Sequence, residues 1–229
     1  MKTLSFIIAF LALTNCIAQN NCSPYYPSKK GTEITLHHFN HKDKLTSKTN
    51  YKIVDINSTS SGSTISIQMS MIDAKKKKTI TDTQFSIECK DGVTSIDPET
   101  IISPQLYKQY QNMDYTIEGK GIDIPNSLTV GQQLEDGYVS MSIDAGVMSI
   151  DMKVNLLNRE VQSKEIITTS AGSFECYLIS YTNEVTMSMG MKQTFIVKQW
   201  ISKNVGLVQQ ETSKPNGKLV SKSVLAALN

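Results

Sequence analysis

The chain has 229 residues, enough for one all-β domain with a sizeable core, so folding requires neither disulfides nor a metal. Its formal net charge is +2 and Arg159 is its single arginine. A near-neutral, lysine-based charge excludes nucleic acid as the expected partner, because phosphate and guanine recognition favours the planar guanidinium.

Met1–Ala18 reads as a secretory signal: Lys2 is the positive start, Leu4–Leu13 the apolar run, and Cys16-Ile17-Ala18 a cleavage site ending in a small residue. The run is short for a bilayer span, and no later apolar run reaches that length, so no transmembrane helix is expected after signal removal. A second export reading takes Leu13-Thr14-Asn15-Cys16 as a lipoprotein box with Cys16 lipidated, although Asn15 is a poor residue before that cysteine. A periplasmic or envelope location follows from either reading. Residues 19–229 then form one domain, with formal charge +1 once Lys2 is removed.

Cys22, Cys89 and Cys176 remain after cleavage at Ala18. An oxidising compartment predicts one disulfide and one leftover thiol. Cys22 precedes the first strand, Cys89 ends a strand beside a turn, and Cys176 sits mid-strand among apolar neighbours. That placing favours Cys22–Cys89, with the pairing itself left open.

Strands follow in order: Gly31–Phe39, Leu45–Ile56, Thr64–Ile72, Ile80–Cys89 and Val93–Ile96. Thr64–Ile72 alternates Ile65, Ile67 and Met69 with Ser66, Gln68 and Ser70, the period of a half-buried antiparallel strand. Lys75–Lys78 is a charged hairpin tip, and Asp91-Gly92 is a turn. The pattern then breaks. Pro98-Glu99-Thr100 can start a helix, or Ser103 can cap one that begins at Pro104. Leu106, Tyr107 and Tyr110 recur at helical spacing through Asn112. Such a lone helix covers an open sheet face or plugs a barrel mouth.

Short strands resume over Tyr115–Ile124 around Gly119 and Gly121, then over Tyr138–Ala145 and Met148–Leu157. The densest β signal lies in Glu160–Thr212, with strands Glu165–Thr169, Phe174–Thr186, Gln193–Ser202 and Leu207–Thr212. There Phe174, Cys176 and Leu178 share one face while Tyr177, Ile179 and Tyr181 share the other, so both faces of that strand should be covered. Asn216-Gly217 turns the chain into a last strand, Leu219–Leu228. The expected fold is mainly β: one strongly curved antiparallel sheet, a half or open barrel, with one short helix across its concave face.

Several blocks carry a family resemblance. They are Cys22-Ser-Pro-Tyr-Tyr-Pro27 with Lys30-Gly31, Glu88-Cys89-Lys90-Asp91-Gly92, Ile167-Thr-Thr-Ser-Ala-Gly-Ser-Phe-Glu-Cys-Tyr177, Trp200-Ile-Ser202 with Val205-Gly-Leu207, and Ser223–Asn229. Over nearly the whole mature chain it resembles the TapB-like proteins, an exported Bacteroidetes family of unknown function. It is also similar to a wider group of periplasmic domains. The resemblance implies a half or open barrel with a helix across its mouth, similar to the lipoprotein-carrier, LolA-like fold. It transfers no catalytic residue.

Three groups of residues are candidate sites by their chemistry. His37, His38 and His41 are the only histidines; adjacent strand residues face opposite ways, so a shared metal is disfavoured and solvated strand-end histidines are expected. Met187, Met189 and Met191 alternate and so would share a strand face, as adaptable apolar lining or as soft ligands for copper. Lys75–Lys78 either blocks edge pairing or meets an anionic polymer or lipid. Enzyme motifs are absent: there is no Gly-x-Ser-x-Gly, P-loop, His-Glu-x-x-His or Cys-x-x-Cys. The reading is a non-enzymatic binding module without metal or cofactor, holding an apolar ligand or lipid on Met187, Met189, Met191, Leu106 and Tyr110. The alternative is a structural or assembly partner in the envelope whose interior is fully packed.

Overall fold

The computed structural model describes residues 25–59, 62–102, 113–144, 146 and 149–229. The signal segment, Cys22, and the helix expected around Leu106 and Tyr110 lie outside the described residues. Thirteen strands form one antiparallel sheet. They are β1 (Glu33–Asn40), β2 (Leu45–Thr59), β3 (Gly62–Asp73), β4 (Thr79–Lys90), β5 (Val93–Ile96), β6 (Tyr115–Lys120) and β7 (Ile122–Pro125). The series continues with β8 (Gly137–Asp144), β9 (Ser149–Thr169), β10 (Gly172–Met187), β11 (Lys192–Ser202), β12 (Gly206–Ser213) and β13 (Leu219–Leu228).

The spatial order is β6-β8-β9-β10-β11-β12-β13-β1-β2-β3-β4-β5-β7. Its two end strands, β6 and β7, are consecutive in the chain and separated only by Gly121. Residues 115–125 therefore run as one extended segment that pairs first with β8 and then switches to β5. The strongly curved antiparallel sheet expected from sequence is thus present, as a nearly closed barrel whose two ends are joined by the chain itself. Closure brings backbones very close. A Cβ at Gly121 would lie 2.0 Å from the Ile96 carbonyl oxygen, and one at Gly119 would lie 2.6 Å from that of Tyr138. Both positions require glycine because no side chain fits between the strands.

The alternation read from sequence is realised as burial. Ile65 and Ile67 are buried on β3 beside half-buried Ser66 and Gln68. β10 buries both faces, as expected: Cys176 and Leu178 join Trp200, Val208 and Leu225 in one cluster, while Ile179 and Tyr181 join Val161, Val197 and Ile201 in another. Register shifts at Leu178/Ile179 and Ser180/Thr182 bend the strand between these two environments.

Two expectations are corrected. Pro98-Glu99-Thr100 starts no α-helix: Pro98–Ile101 is a single 3-10 turn, with the Asp97 side chain accepting from the Glu99 amide at 2.9 Å. Among the described residues there is no α-helix, and none of the helical turns is long and apolar enough to cross a membrane. The strands expected over Met148–Leu157 and Glu165–Thr169 are one 21-residue strand, β9. Asn158, at φ 55°, carries the chain through the interruption.

Gly121→Ala is expected to destabilise the protein by about 3 kcal/mol or more, the upper range for overpacking against a rigid neighbour. Gly137→Ala should cost less, because its new Cβ would meet the movable Leu156 side chain at 3.3 Å. Urea unfolding of the two variants beside the parent measures both.

Candidate functional site

The seam where the barrel closes gathers the polar groups that the sequence left unassigned. The loop between β7 and β8 runs along β9 at its interruption: Gly131 donates to the Val161 carbonyl at 2.7 Å, Val161 to Gln132 at 2.9 Å, and Leu134 to Arg159 at 2.8 Å. Arg159 is only 2% exposed. One guanidinium nitrogen donates to the Glu135 carbonyl in that loop, and the other donates to the Asp123 carbonyl on β7 at 3.1 Å. The side chain thus ties β9 to the loop and to the end strand β7. Burial pushes its pKa down, while Tyr181, Asp123, Tyr26 and Asp136 favour the charged form. A guanidinium stays protonated under such a shift. Burial also raises the phenols of Tyr26 and Tyr181, the former further raised by Tyr51, so these rings stay neutral beside the cation.

Outside this fastening, a depression of about 460 Å³ is lined by Glu88, Ser95, Asp97, Lys120 and Asp123 together with Gly119 and Gly121. Its charged groups are mostly engaged. Asp123 accepts from Ser95 Oγ at 2.7 Å, Asp97 caps the 3-10 turn, and Lys120 pairs with Glu135. A second depression, about 610 Å³, lies at Asp114, Thr116, Ser142 and Asp144 and is also polar. Among the described residues, no three histidine, cysteine or carboxylate side chains are placed to hold a metal ion.

The methionine stripe does not form as the sequence suggested. Ser188–Gly190 is a 3-10 turn with Gly190 at φ 74°, so the alternation is interrupted. Met187 ends β10 and packs half-buried against the core, whereas Met191 is 59% exposed across the turn. Met189 lies in the turn, and its side chain is outside the described residues. What the fold brings together instead is Met187 with Met141 and Met152, in a cluster that includes Ile102, Val139, Ile143 and Val154. Period-two reading missed this set because its members come from three strands.

The histidines also depart from expectation. His38 is no solvated strand end. Its Nδ1 lies 2.8 Å from Ser223 Oγ on β13 and its Nε2 lies 2.7 Å from Thr49 Oγ1 on β2, so the ring bridges three strands. Thr49 is fully buried. A histidine–serine contact can serve nucleophilic catalysis when a third group orients the ring and stabilises its cation. Here both nitrogens meet hydroxyls, and burial, followed by His37, lowers the His38 pKa. The contact is therefore suited to strand fastening. His37 is also lowered, by burial and then Lys48.

Cys89 is disulfide-bonded, and Cys22 lies outside the described residues. Cys176 is free and fully buried, as its mid-strand position suggested, and burial pushes its thiol up to about 11. That thiol is inert at neutral pH.

The chain belongs to the DUF3108-like family, whose model matches residues 29–225. A search of the curated proteins finds no match. Two solved structures share the fold. One is a Bacteroides fragilis protein described as exported with a YmcC-like fold, at 22% identity and TM-score 0.75, covering 91% of this chain and 100% of its own. The other is a Parabacteroides distasonis protein described as a lipoprotein, at 23% identity and TM-score 0.76, covering 91% and 99%.

Arg159→Met is expected to lower stability by about 2–4 kcal/mol, because two part-buried backbone carbonyls lose charged donors; denaturant unfolding tests this. Stability should also fall as pH drops from about 7 to about 5, since the unfolded chain binds protons near the ordinary histidine pKa of about 6.5 while folded His38 resists them. Thermal melts across that range should show the loss, and His38→Gln should reduce it, leaving the smaller part due to His37.

Proposed function

We propose that this protein is an exported, non-catalytic module of the cell envelope that acts as a structural or assembly partner, with its interior filled by its own side chains. The observation that carries this reading is that strands on the two sides of the seam share one packed core. Ile124 of β7 shares one core with Leu156 and Val161 of β9, Ile179 and Tyr181 of β10, and Val197 and Ile201 of β11, closed by Tyr25, Leu128 and Leu134. A buried guanidinium and neutral phenols stand beside that core, an arrangement suited to fixing the seam rather than to receiving an acyl chain. Export is supported by the leader-like Met1–Ala18 and by the descriptions of the two solved structures. The TapB-like resemblance is the narrower family reading. Within the envelope, we assign the disulfide to Cys22–Cys89, with cleavage after Ala18 in preference to lipidation of Cys16.

A second reading is a carrier of an apolar ligand or lipid. The observation favouring it is the joint cluster of Met141, Met152 and Met187, since methionines suit a wall that must adapt to a guest. In that reading Met187, Leu106 and Tyr110 contribute to the ligand wall.

Native mass spectrometry of the protein exported by its own host separates the two readings. The expected result is a bare polypeptide beginning at Gln19, two hydrogens lighter than its fully reduced mass. A non-covalent lipid that leaves on denaturation would overturn the packed reading in favour of the carrier. Peptide mapping without reduction should join Cys22 to Cys89.

A further inference from the structure

The topology places three lysine-bearing turns side by side. In the run β12-β13-β1-β2-β3-β4, the turns at 213–219, 40–44 and 73–79 all leave the same end of the barrel, because neighbouring strands are antiparallel. At about 4.8 Å per strand, the outer two turns lie roughly 20 Å apart. They carry Lys214 and Lys218, Lys42 and Lys44, and Lys75–Lys78, all exposed.

With Asp43 and Asp73 counted and His41 neutral, the three turns have formal charge +6, against +2 for the whole chain. The remainder is net negative and includes Asp114 and Asp144 at the β6–β8–β9 side of the same end, so the positive charge is concentrated in the sector of that rim between β12 and β4. Among the described residues none of these eight lysines forms an ion pair. Asp73 offsets part of the charge, its carboxylate held by the amides of Lys75 at 2.9 Å and Lys76 at 2.6 Å. The nearby pairs Lys222–Glu211 and Lys192–Glu184 are neutral overall.

Edge protection does not account for this rim. β3 is paired on both sides by β2 and β4, and β4 by β3 and β5, so the Lys75–Lys78 tip guards no edge. The same holds for β12, β13, β1 and β2. Lysines are compact, hydrated point charges, suited to diffuse attraction by a charged plane rather than to bidentate recognition. Ile72, at the tip of β3, and Met191, in the turn between β10 and β11, expose apolar side chains at the same end of the barrel. A row of cations with apolar residues among them fits a bilayer interface better than a soluble acidic chain.

We propose that this lysine rim docks the protein on an anionic phospholipid surface, end-on, through Lys42, Lys44, Lys75–Lys78, Lys214 and Lys218. The docking is independent of whether the barrel interior holds a ligand. The test is co-sedimentation of the full exported chain with vesicles of phosphatidylcholine, with or without one third phosphatidylglycerol, at low and at high salt. Neutral vesicles set the baseline for any acyl anchor.

Binding to the anionic vesicles should exceed that baseline and fade with salt. Replacing Lys75–Lys78 by glutamine should weaken it at least about tenfold. Replacing Lys29, Lys90 and Lys203, which lie at the other end, should leave it unchanged. No binding above baseline at low salt would overturn the proposal, as would equal losses in both variants. Retention by an acidic polysaccharide without vesicle binding would also overturn it and assign the rim to that polymer.

Discussion

The structure depends on one constraint: the two ends of a thirteen-stranded sheet must meet within a single extended segment. Residues 115–125 satisfy β8 on one side and β5 on the other, and the exchange of partner happens at Gly121. Because backbone atoms occupy the space of a Cβ there, the segment can switch partners without splaying the strands. Closure leaves a stretch where β7 and β9 approach without a ladder. Arg159, on β9, spans it with hydrogen bonds to a backbone carbonyl of β7 and one of the loop that follows β7. The cost of burying that charge is offset by its hydrogen bonds and by the carboxylates of Asp123 and Asp136.

Closure also determines what the turns are for. In an open sheet, a lysine-rich tip beside an edge is readily understood as protection against pairing with another chain. Once the ends are joined, the hairpins between β12 and β4 are all internal, and their lysines need another physical role. Antiparallel order then makes the sector of one end between β12 and β4 basic. The chain's modest net charge conceals this polarity because acids are spread over the rest of the molecule.

The two polar contacts least visible in the sequence share an origin. Arg159 and His38 each bond to groups from two other segments: Asp123 and Glu135 for the first, Thr49 and Ser223 for the second. The chain's single arginine, standing at a break between two apolar runs, was a signal for the first. For His38 there was none, because adjacency to His37 suggested a solvated strand end. Its partners lie 11 and 185 residues away, and only register brings them together.

The sequence by itself determined the strands and their faces. Alternation at Ile65 and Ile67, two-faced apolarity from Cys176 to Tyr181, and the turns at Asp91-Gly92 and Asn216-Gly217 are local properties, read from a period of two and from the backbone freedom of glycine and asparagine. Tertiary structure decided the rest. A 3-10 turn replaced the helix start at Pro98, and the Ser188–Gly190 turn separated Met187 from Met191. Met141, Met152 and Met187, the seam at Arg159 and the lysine rim depend on which strands become neighbours. That is fixed by pairing and closure over long sequence separations, where the hydrophobic pattern of any one segment carries no information.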